Sequence, residues 1–401
     1  MGTDLTFGER LRFTRRTITL MTEGAFDVLV AARALEAAGR HVIHLQIGEP
    51  DFATPEHIVQ AAIRAMHDGH TRYTPPAGIP ELRDAVAASM AARGVRASAE
   101  NVVISPGAKN IIFYAAVALI DQGDEVLLPD PAYPIFESVM RFAGARPVFY
   151  SLQGARDFRV DPGEIADKIS PRTRLLVLNT PHNPTGSVIG AGDLAAIAEL
   201  AQRHDLLVLC DEIYSRHRYD EEVASIASFP GMADRTIVVD GFSKTFAMTG
   251  WRLGYGVMPA PIADQMTKVA LNSNSCTAAF VQHAGIAALT GPPEPVAGFV
   301  RELRCRRDLV VHGLRAIDGI TCVEPRGAFY VFPDITGVLE RSGLTVPAFA
   351  DRLLSEHGVA CLPGTAFGAG GAGHLRLSYA ASRADLRTAL DRIRDLVRGR
   401  E

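Results

Sequence analysis

Between residues 100 and 260 the hydrophobic pattern repeats one unit, in which a short, nearly continuous apolar run is followed by small, polar or proline residues and often by a helical stretch. Such runs are typical of strands that are buried on both faces of a parallel sheet. The pattern predicts an α/β fold with a mostly parallel, seven-stranded sheet sandwiched by helices. The predicted strands are NVVIS (101–105), EVLLP (125–129), RPVFY (146–150), RLLVLN (174–179), LLVLCD (206–211), TIVVD (236–240) and RLGYGVM (252–258).

One break in this pattern indicates a domain limit. Glycine and prolines interrupt a helical stretch at LTGPPEPV (289–296). We therefore predict a large domain over residues 60–290. A smaller α/β domain would consist of residues 291–401, joined by an N-terminal segment over residues 1–59.

Small and polar residues follow five of the predicted strands. In open α/β sheets, ligands bind beyond the carboxyl ends of the strands, so these residues should share one rim and form a site. In chain order, they are Gly107, Ala108, Lys109, Tyr133, Asn183, Asp211, Tyr214, Ser243 and Lys244.

The first part of this set suits a phosphorylated aromatic ring. Gly107 lets backbone N–H groups approach an anion, and the hydroxyl of Ser243 and the guanidinium of Arg252 are phosphate ligands. Tyr133 can stack on a ring. The carboxylate of Asp211 can keep a pyridine nitrogen protonated, because a nearby negative charge raises the pKa of a cationic acid.

The second part suits an aldehyde beside a phenolate oxygen. Asn183 and Tyr214 can donate hydrogen bonds to that oxygen. Lys244 lies among small and apolar neighbours, and a dry environment lowers the pKa of an amine and leaves it nucleophilic. Pyridoxal 5′-phosphate has all of these features, so it is the predicted cofactor.

Six motifs follow one another along the chain: YTPPAGIPELR (73–83), NTPHNPTG (179–186), CDEIY (210–214), SKTFAMTGWRLGY (243–255), GAFYVF (327–332) and HLRLSY (374–379). These motifs, in this order, resemble those of the class I/II aminotransferases. That family belongs to the aspartate aminotransferase superfamily of pyridoxal-phosphate-dependent enzymes of fold type I. The resemblance extends from IGEPDF (47–52) to the last helix.

The resemblance implies an aminotransferase that moves an amino group between an L-amino acid and a 2-oxo acid. The mechanism would be ping-pong, through an aldimine of Lys244, with the freed amine moving the Cα proton. Most of these residues would also serve a β-eliminating lyase, a cyclising synthase or an oxidative tailoring enzyme of the same fold. These remain the alternatives.

The resemblance also assigns residues outside the rim. Arg376 matches the arginine that binds the substrate α-carboxylate, with Gly48 and Asn183 nearby. Tyr73 matches a tyrosine that reaches the cofactor phosphate of a neighbouring subunit, which implies a homodimer with shared active sites.

The signals for the substrate side chain conflict. Lys109 matches a lysine that binds the distal carboxylate of acidic substrates in some family members, which favours 2-oxoglutarate or a dicarboxylic amino acid. A role in steering the phosphate, or simple solvation, is equally compatible with the sequence. Glu23, Phe26 and Asp27 favour a cationic or aromatic side chain instead.

Composition narrows the setting. The 401 residues include 45 acidic and 41 basic side chains, so no basic surface argues for nucleic acid. The five cysteines are scattered and form no CxxC pair, which is typical of a reduced, cytoplasmic protein without a metal site. No apolar run is long enough to span a bilayer, so no membrane association is expected.

Overall fold

A computed structural model describes residues 13–219 and 224–399 of the chain. Its strands form one large sheet and two small ones. In chain order the strands are β1 (Ile43–His44), β2 (Val102–Ser105), β3 (Glu125–Asp130), β4 (Arg146–Ser151), β5 (Thr173–Asn179), β6 (Leu207–Asp211), β7 (Thr236–Gly241), β8 (Gly254–Val257), β9 (Tyr330–Val331), β10 (Val359–Ala360), β11 (Leu362–Pro363) and β12 (Leu375–Ser378).

Helices connect nearly all of the strands in the large sheet. In chain order the helices are α1 (Arg15–Ile18), α2 (Gly24–Ala37), α3 (Glu56–His67), α4 (Pro80–Ala91), α5 (Lys109–Leu119), α6 (Ile135–Ala143), α7 (Pro162–Lys168), α8 (Ala191–Arg203), α9 (Ala260–Ser273), α10 (Ala279–Thr290), α11 (Glu294–Arg315), α12 (Thr336–Ser342), α13 (Val346–Ser355) and α14 (Arg383–Val397). None of these helices is both long and apolar enough to cross a membrane.

The large sheet has seven strands in the order β2-β8-β7-β6-β5-β3-β4, which confirms the seven predicted strands. Strand β8 runs antiparallel to both of its neighbours, and the other pairs are parallel. The carboxyl ends of β2, β3, β5, β6 and β7 therefore meet at one edge of the sheet. In the register of β5 and β6, Asn179 pairs with Asp211 at that edge.

The strands are nearly continuous apolar runs because alternate residues supply two separate cores. Val126 and Val177 face a core that includes Phe136 of α6. Leu127, next to Val126, and Leu176, next to Val177, belong to a core on the opposite face that includes residues of α7 and α8. Since each buried aliphatic side chain contributes about 1.5–3 kcal/mol, both faces stabilise the sheet that holds the rim.

A third core lies in the C-terminal part of the chain. It gathers β9, β12 and helices α11, α13 and α14, and it includes Ile43 and Leu45 from the N-terminal segment. Strand β1 pairs with β10, so the N-terminal segment is built into this part of the fold.

Candidate active site

A cavity of about 580 Å³ opens at the edge where the five strands end. This volume is typical of a small-molecule site. Most of the residues predicted from the sequence line it: Gly48, Ala108, Lys109, Tyr133, Asn183, Asp211, Tyr214, Ser243, Lys244, Arg252 and Arg376. Gly107 lies directly beside this lining, in contact with Arg252.

Lys244 lies in the turn that follows β7, with its side chain part-buried in the cavity. Its Nζ donates a hydrogen bond to the backbone carbonyl of Gly48. Burial, opposed by the negative charge of Glu49 and helped by the positive charges of Arg376 and Arg252, lowers the pKa of Lys244 to about 8. A fraction of the amine is therefore neutral at physiological pH, and burial is the main cause, in line with the dry environment inferred from the sequence.

Asp211 is the last residue of β6 and is buried. Its Oδ1 accepts a hydrogen bond from the N–H of Ile213 at 3.1 Å. Burial, opposed by the hydrogen bond from Ile213 and helped by the nearby carboxylates of Asp240 and Glu212, raises the pKa of Asp211 to about 7. Within residues 13–219 and 224–399, no lysine or arginine forms an ion pair with Asp211, so this carboxylate lacks a cation.

An amide and two phenols line the same cavity. The Oη atoms of Tyr214 and Tyr330 are 2.7 Å apart and share a hydrogen bond. The side-chain oxygen of Asn183 accepts a hydrogen bond from Arg376 at 3.3 Å, while its backbone N–H donates to Asn179 at 2.9 Å. These contacts fix the side chains of Asn183 and Tyr214 at the wall of the cavity.

Two glycines keep the phosphate-binding loop predicted after β2 close to its neighbours. Gly107 has a φ of +95°, and a Cβ atom there would lie 2.1 Å from Nη2 of Arg252. A Cβ on Gly254 would lie 2.2 Å from the backbone nitrogen of Ala108. Arg252 donates to the carbonyls of Thr249 and Pro106, and no described carboxylate pairs with it.

Arg376, on β12, brings a buried cation to the cavity from the C-terminal core. It is 4% exposed and donates to the carbonyl of Gln46 as well as to Asn183. Its guanidinium lies 4.5 Å from the ring centre of Tyr330 and 5.1 Å from that of Phe367. In the described part of the chain, its Nε has no hydrogen-bond partner and no carboxylate neutralises it, so the site can accept an anion.

Three further residues of the cavity were not assigned from the sequence. Tyr330 lies within the quoted motif GAFYVF, and its Oη would be 1.7 Å from a Cβ on Gly48, which explains why that position is glycine. Glu49 follows Gly48 and accepts a hydrogen bond from Thr249. No sequence signal distinguishes Phe367, because its place depends on how β11 and β12 meet.

Tyr73 lies elsewhere. Its side chain is 92% exposed in the segment between α3 and α4, and it does not line the cavity of its own chain. A role for Tyr73 at a cofactor would therefore require a second copy of the chain.

The family-model match for aminotransferase class I and II covers residues 40–393. This chain belongs to the class I and II aminotransferases. It is 37% identical to an aspartate aminotransferase of Geobacillus stearothermophilus, over 97% of this chain and all of the relative. An arginine–pyruvate transaminase of Pseudomonas aeruginosa is 39% identical, over 96% of this chain and 97% of the relative. The solved aspartate aminotransferase of Rhizobium meliloti superposes with a TM-score of 0.92 at 36% identity, covering 97% and 99% of the two chains.

The enzyme is thus a pyridoxal-phosphate-dependent aminotransferase that acts on amino acids and 2-oxo acids. Three observations show that the cavity fits this cofactor. They are the close approach of the loop at Gly107 to Arg252, the carboxylate of Asp211 without a paired cation, and the amine of Lys244 with its lowered pKa. The first suits a phosphate, the second a pyridinium nitrogen, and the third an aldehyde.

Proposed function

We propose that Lys244 is the catalytic residue of this aminotransferase: the amine that holds the cofactor through its aldehyde and then moves the substrate Cα proton. The convergence of an amine, an unpaired carboxylate and an unpaired buried guanidinium in one cavity carries this proposal. A pKa of about 8 leaves Lys244 partly neutral near pH 7, so it can accept a proton and return it. The carbonyl of Gly48 orients the amine between these steps.

The remaining rim residues would hold the cofactor. When bound, pyridoxal 5′-phosphate withdraws electrons from the substrate Cα and so makes its proton acidic. Asp211 would pair with the ring nitrogen, and the ring oxygen would accept hydrogen bonds from Asn183 and Tyr214. Tyr133 would stack on the ring. The phosphate would be bound by Gly107, Ala108, Ser243 and Arg252, whereas the side chain of Lys109, also predicted as a cofactor ligand, is paired with Glu23.

Arg376 would bind the substrate α-carboxylate in a bidentate manner, with Gly48 and Asn183 beside it. Its buried guanidinium has no carboxylate partner in the described chain and already contacts Asn183. Because Arg376 belongs to the C-terminal core and Lys244 to the large sheet, we expect the unit of residues 1–59 and 291–401 to close on residues 60–290 when substrate binds. Helix α3 crosses residue 59, so a rigid division would fall before Glu56.

We also propose a cytoplasmic homodimer with shared active sites. The 92% exposure of Tyr73 supports the predicted contribution of this residue to the cofactor phosphate of a second copy. The named relatives act on aspartate and on arginine with pyruvate, so similarity alone leaves the substrate side chain open. Lys109 is the basis for testing 2-oxoglutarate as the amino acceptor.

A half-reaction tests this function. Purified holoenzyme mixed with one L-amino acid should convert its cofactor from the pyridoxal to the pyridoxamine form, with one equivalent of 2-oxo acid released and no ammonia. Adding a 2-oxo acid should reverse the change. Continuous release of ammonia with an unchanged cofactor spectrum would instead indicate a lyase. A Lys244→Ala protein that performs the half-reaction at the wild-type rate would refute the role of Lys244.

A further inference from the structure

The part of the cavity that remains for a substrate side chain combines an apolar wall with one ion pair. The wall consists of Phe26, Leu29, Ile47, Leu362, Ala366 and Phe367. The ion pair joins Glu23, which immediately precedes α2, to Lys109, the first residue of α5. Both charged residues also line the cavity.

The ammonium of Lys109 already has a carboxylate partner within the chain. Nζ of Lys109 donates to Oε1 of Glu23. The same oxygen accepts a second hydrogen bond, at 3.1 Å, from Oη of Tyr133. The ammonium also lies 5.7 Å from the ring centre of Tyr133, within the range of a cation–π contact. Lys109 is therefore not a free anchor for a carboxylate that enters the cavity.

Tertiary contacts place Glu23 at this position. The N–H of Met21 donates to Oγ of Ser138 on α6 at 2.9 Å, which ties the preceding segment to the large sheet's helices. Glu23 makes no side-chain capping bond to α2, so its carboxylate does not serve the start of that helix. Its side chain is 22% exposed, consistent with a group that faces the cavity.

We propose that Glu23 selects the substrate: by occupying Lys109 it disfavours dicarboxylic substrates and favours amino acids with neutral, mainly apolar side chains. This inference rests on the proposed transamination at Lys244. A distal carboxylate would have to displace Glu23 from Lys109 or lie beside a like charge, and both are unfavourable. A cationic side chain would meet the ammonium of Lys109. A neutral side chain contacts the apolar wall and leaves the pair intact.

The same selection applies to the amino acceptor, because both half-reactions use one cavity. A 2-oxo acid with an apolar side chain should serve better than 2-oxoglutarate. The chain would then differ in substrate class from the relatives named for aspartate, although Lys109 alone suggests a preference like theirs.

The test compares half-reactions of the holoenzyme with leucine, phenylalanine, glutamate, aspartate and arginine. Wild-type kcat/KM for the better neutral amino acid should exceed that for either acidic one by about tenfold or more, the scale of one charge-assisted hydrogen bond. Equilibrium binding of succinate and of 3-phenylpropanoate, followed by calorimetry, measures the same preference without chemistry.

Three variants isolate the pair. Glu23→Gln keeps the size of the side chain and should raise the ratio of acidic to neutral kcat/KM about tenfold, with the same shift in the binding ratio. Glu23→Gln combined with Lys109→Met should lose that gain, because the freed cation is gone. Asp27→Asn removes an exposed charge from the same helix without touching the cavity lining, and it should leave both ratios unchanged.

A wild-type preference for glutamate, aspartate or arginine would overturn the inference, as would Glu23→Gln ratios equal to those of Asp27→Asn. Failure of the proposed function has a different signature. In that case 3-phenylpropanoate would bind better than succinate, while no amino acid would change the cofactor.

Discussion

A buried ion cluster behind the cavity gives a stability prediction for Arg93. Its guanidinium donates to Glu212 and, at 3.3 Å, to Oδ2 of Asp240. Both carboxylates are almost fully buried, and hydroxyls hold each of them as well: Ser225 bonds Glu212 at 2.7 Å and Ser215 bonds Asp240 at 3.0 Å. Arg93→Met would keep most of the side-chain volume and would leave two buried carboxylates without their cation.

Removing one partner of a buried ion pair costs about 3–5 kcal/mol, because the remaining charge stays desolvated and uncompensated. One guanidinium serves two carboxylates here, so we expect the Arg93→Met loss in the free energy of unfolding to lie in the upper half of that range. The hydroxyl groups of Ser215 and Ser225 reduce this loss of stability but supply no positive charge.

Urea unfolding of the holoenzyme, followed by far-ultraviolet circular dichroism, measures this loss. Arg141→Met is the matched control, since Arg141 pairs with Glu137 at 2.7 Å on the exposed face of α6. Such surface pairs contribute about 0.3–0.5 kcal/mol. An Arg93→Met loss no larger than that of the control would refute the reasoning that this cluster depends on its cation.

Three further predictions concern Gly107 in the phosphate-binding loop, the amine of Lys244, and the buried His182 and His217. Gly107→Ala should weaken cofactor affinity at least about tenfold in titrations of the apoenzyme, because it strains a positive φ and displaces Arg252. Gly192→Ala, on the exposed face of α8 and outside the cavity lining, places its Cβ in open space and should not. Capture of the cofactor by apoenzyme should accelerate as pH rises through about 8, the pKa of Lys244, and a rise centred near the ordinary lysine value of about 10.4 would contradict the assigned burial. Burial lowers the pKa of His182 and His217 to about 3, so they stabilise the fold above their ordinary pKa of about 6.5, and this contribution is lost as pH falls towards 3. The free energy of unfolding, measured with urea, should therefore fall less between pH 7 and pH 4 in His217→Asn than in the wild type. The control is His204→Asn, at an exposed position, and an equal effect of that variant would contradict this account.

The strand pattern predicted the sheet because burial on both faces leaves a local signal in each strand. Val126 and Leu127 face opposite cores, so every residue of such a run must be apolar. Asp211 and Lys244 could be predicted for the same reason, since a polar residue at the end of a buried strand, or in the turn that follows it, lies at the rim.

The pairing of Glu23 with Lys109 could not be predicted in this way. The two residues are 86 positions apart, and their contact depends on the docking of Met21 against Ser138. Lys109 alone suggests an anionic substrate side chain and Glu23 alone a cationic one, so the sequence gives conflicting signals until their contact is known. Likewise, the need for glycine at position 48 follows only from the contact of its Cα with the hydroxyl of Tyr330, which leaves no room for a Cβ atom.

The most direct test of the account is to find which residue carries the cofactor. Borohydride reduction of the purified holoenzyme, followed by proteolysis and peptide mass mapping, should locate the phosphopyridoxyl group on the peptide that contains Lys244, in one equivalent per chain. A cofactor on Lys109 or any other lysine, or no attached cofactor at all, would contradict the account.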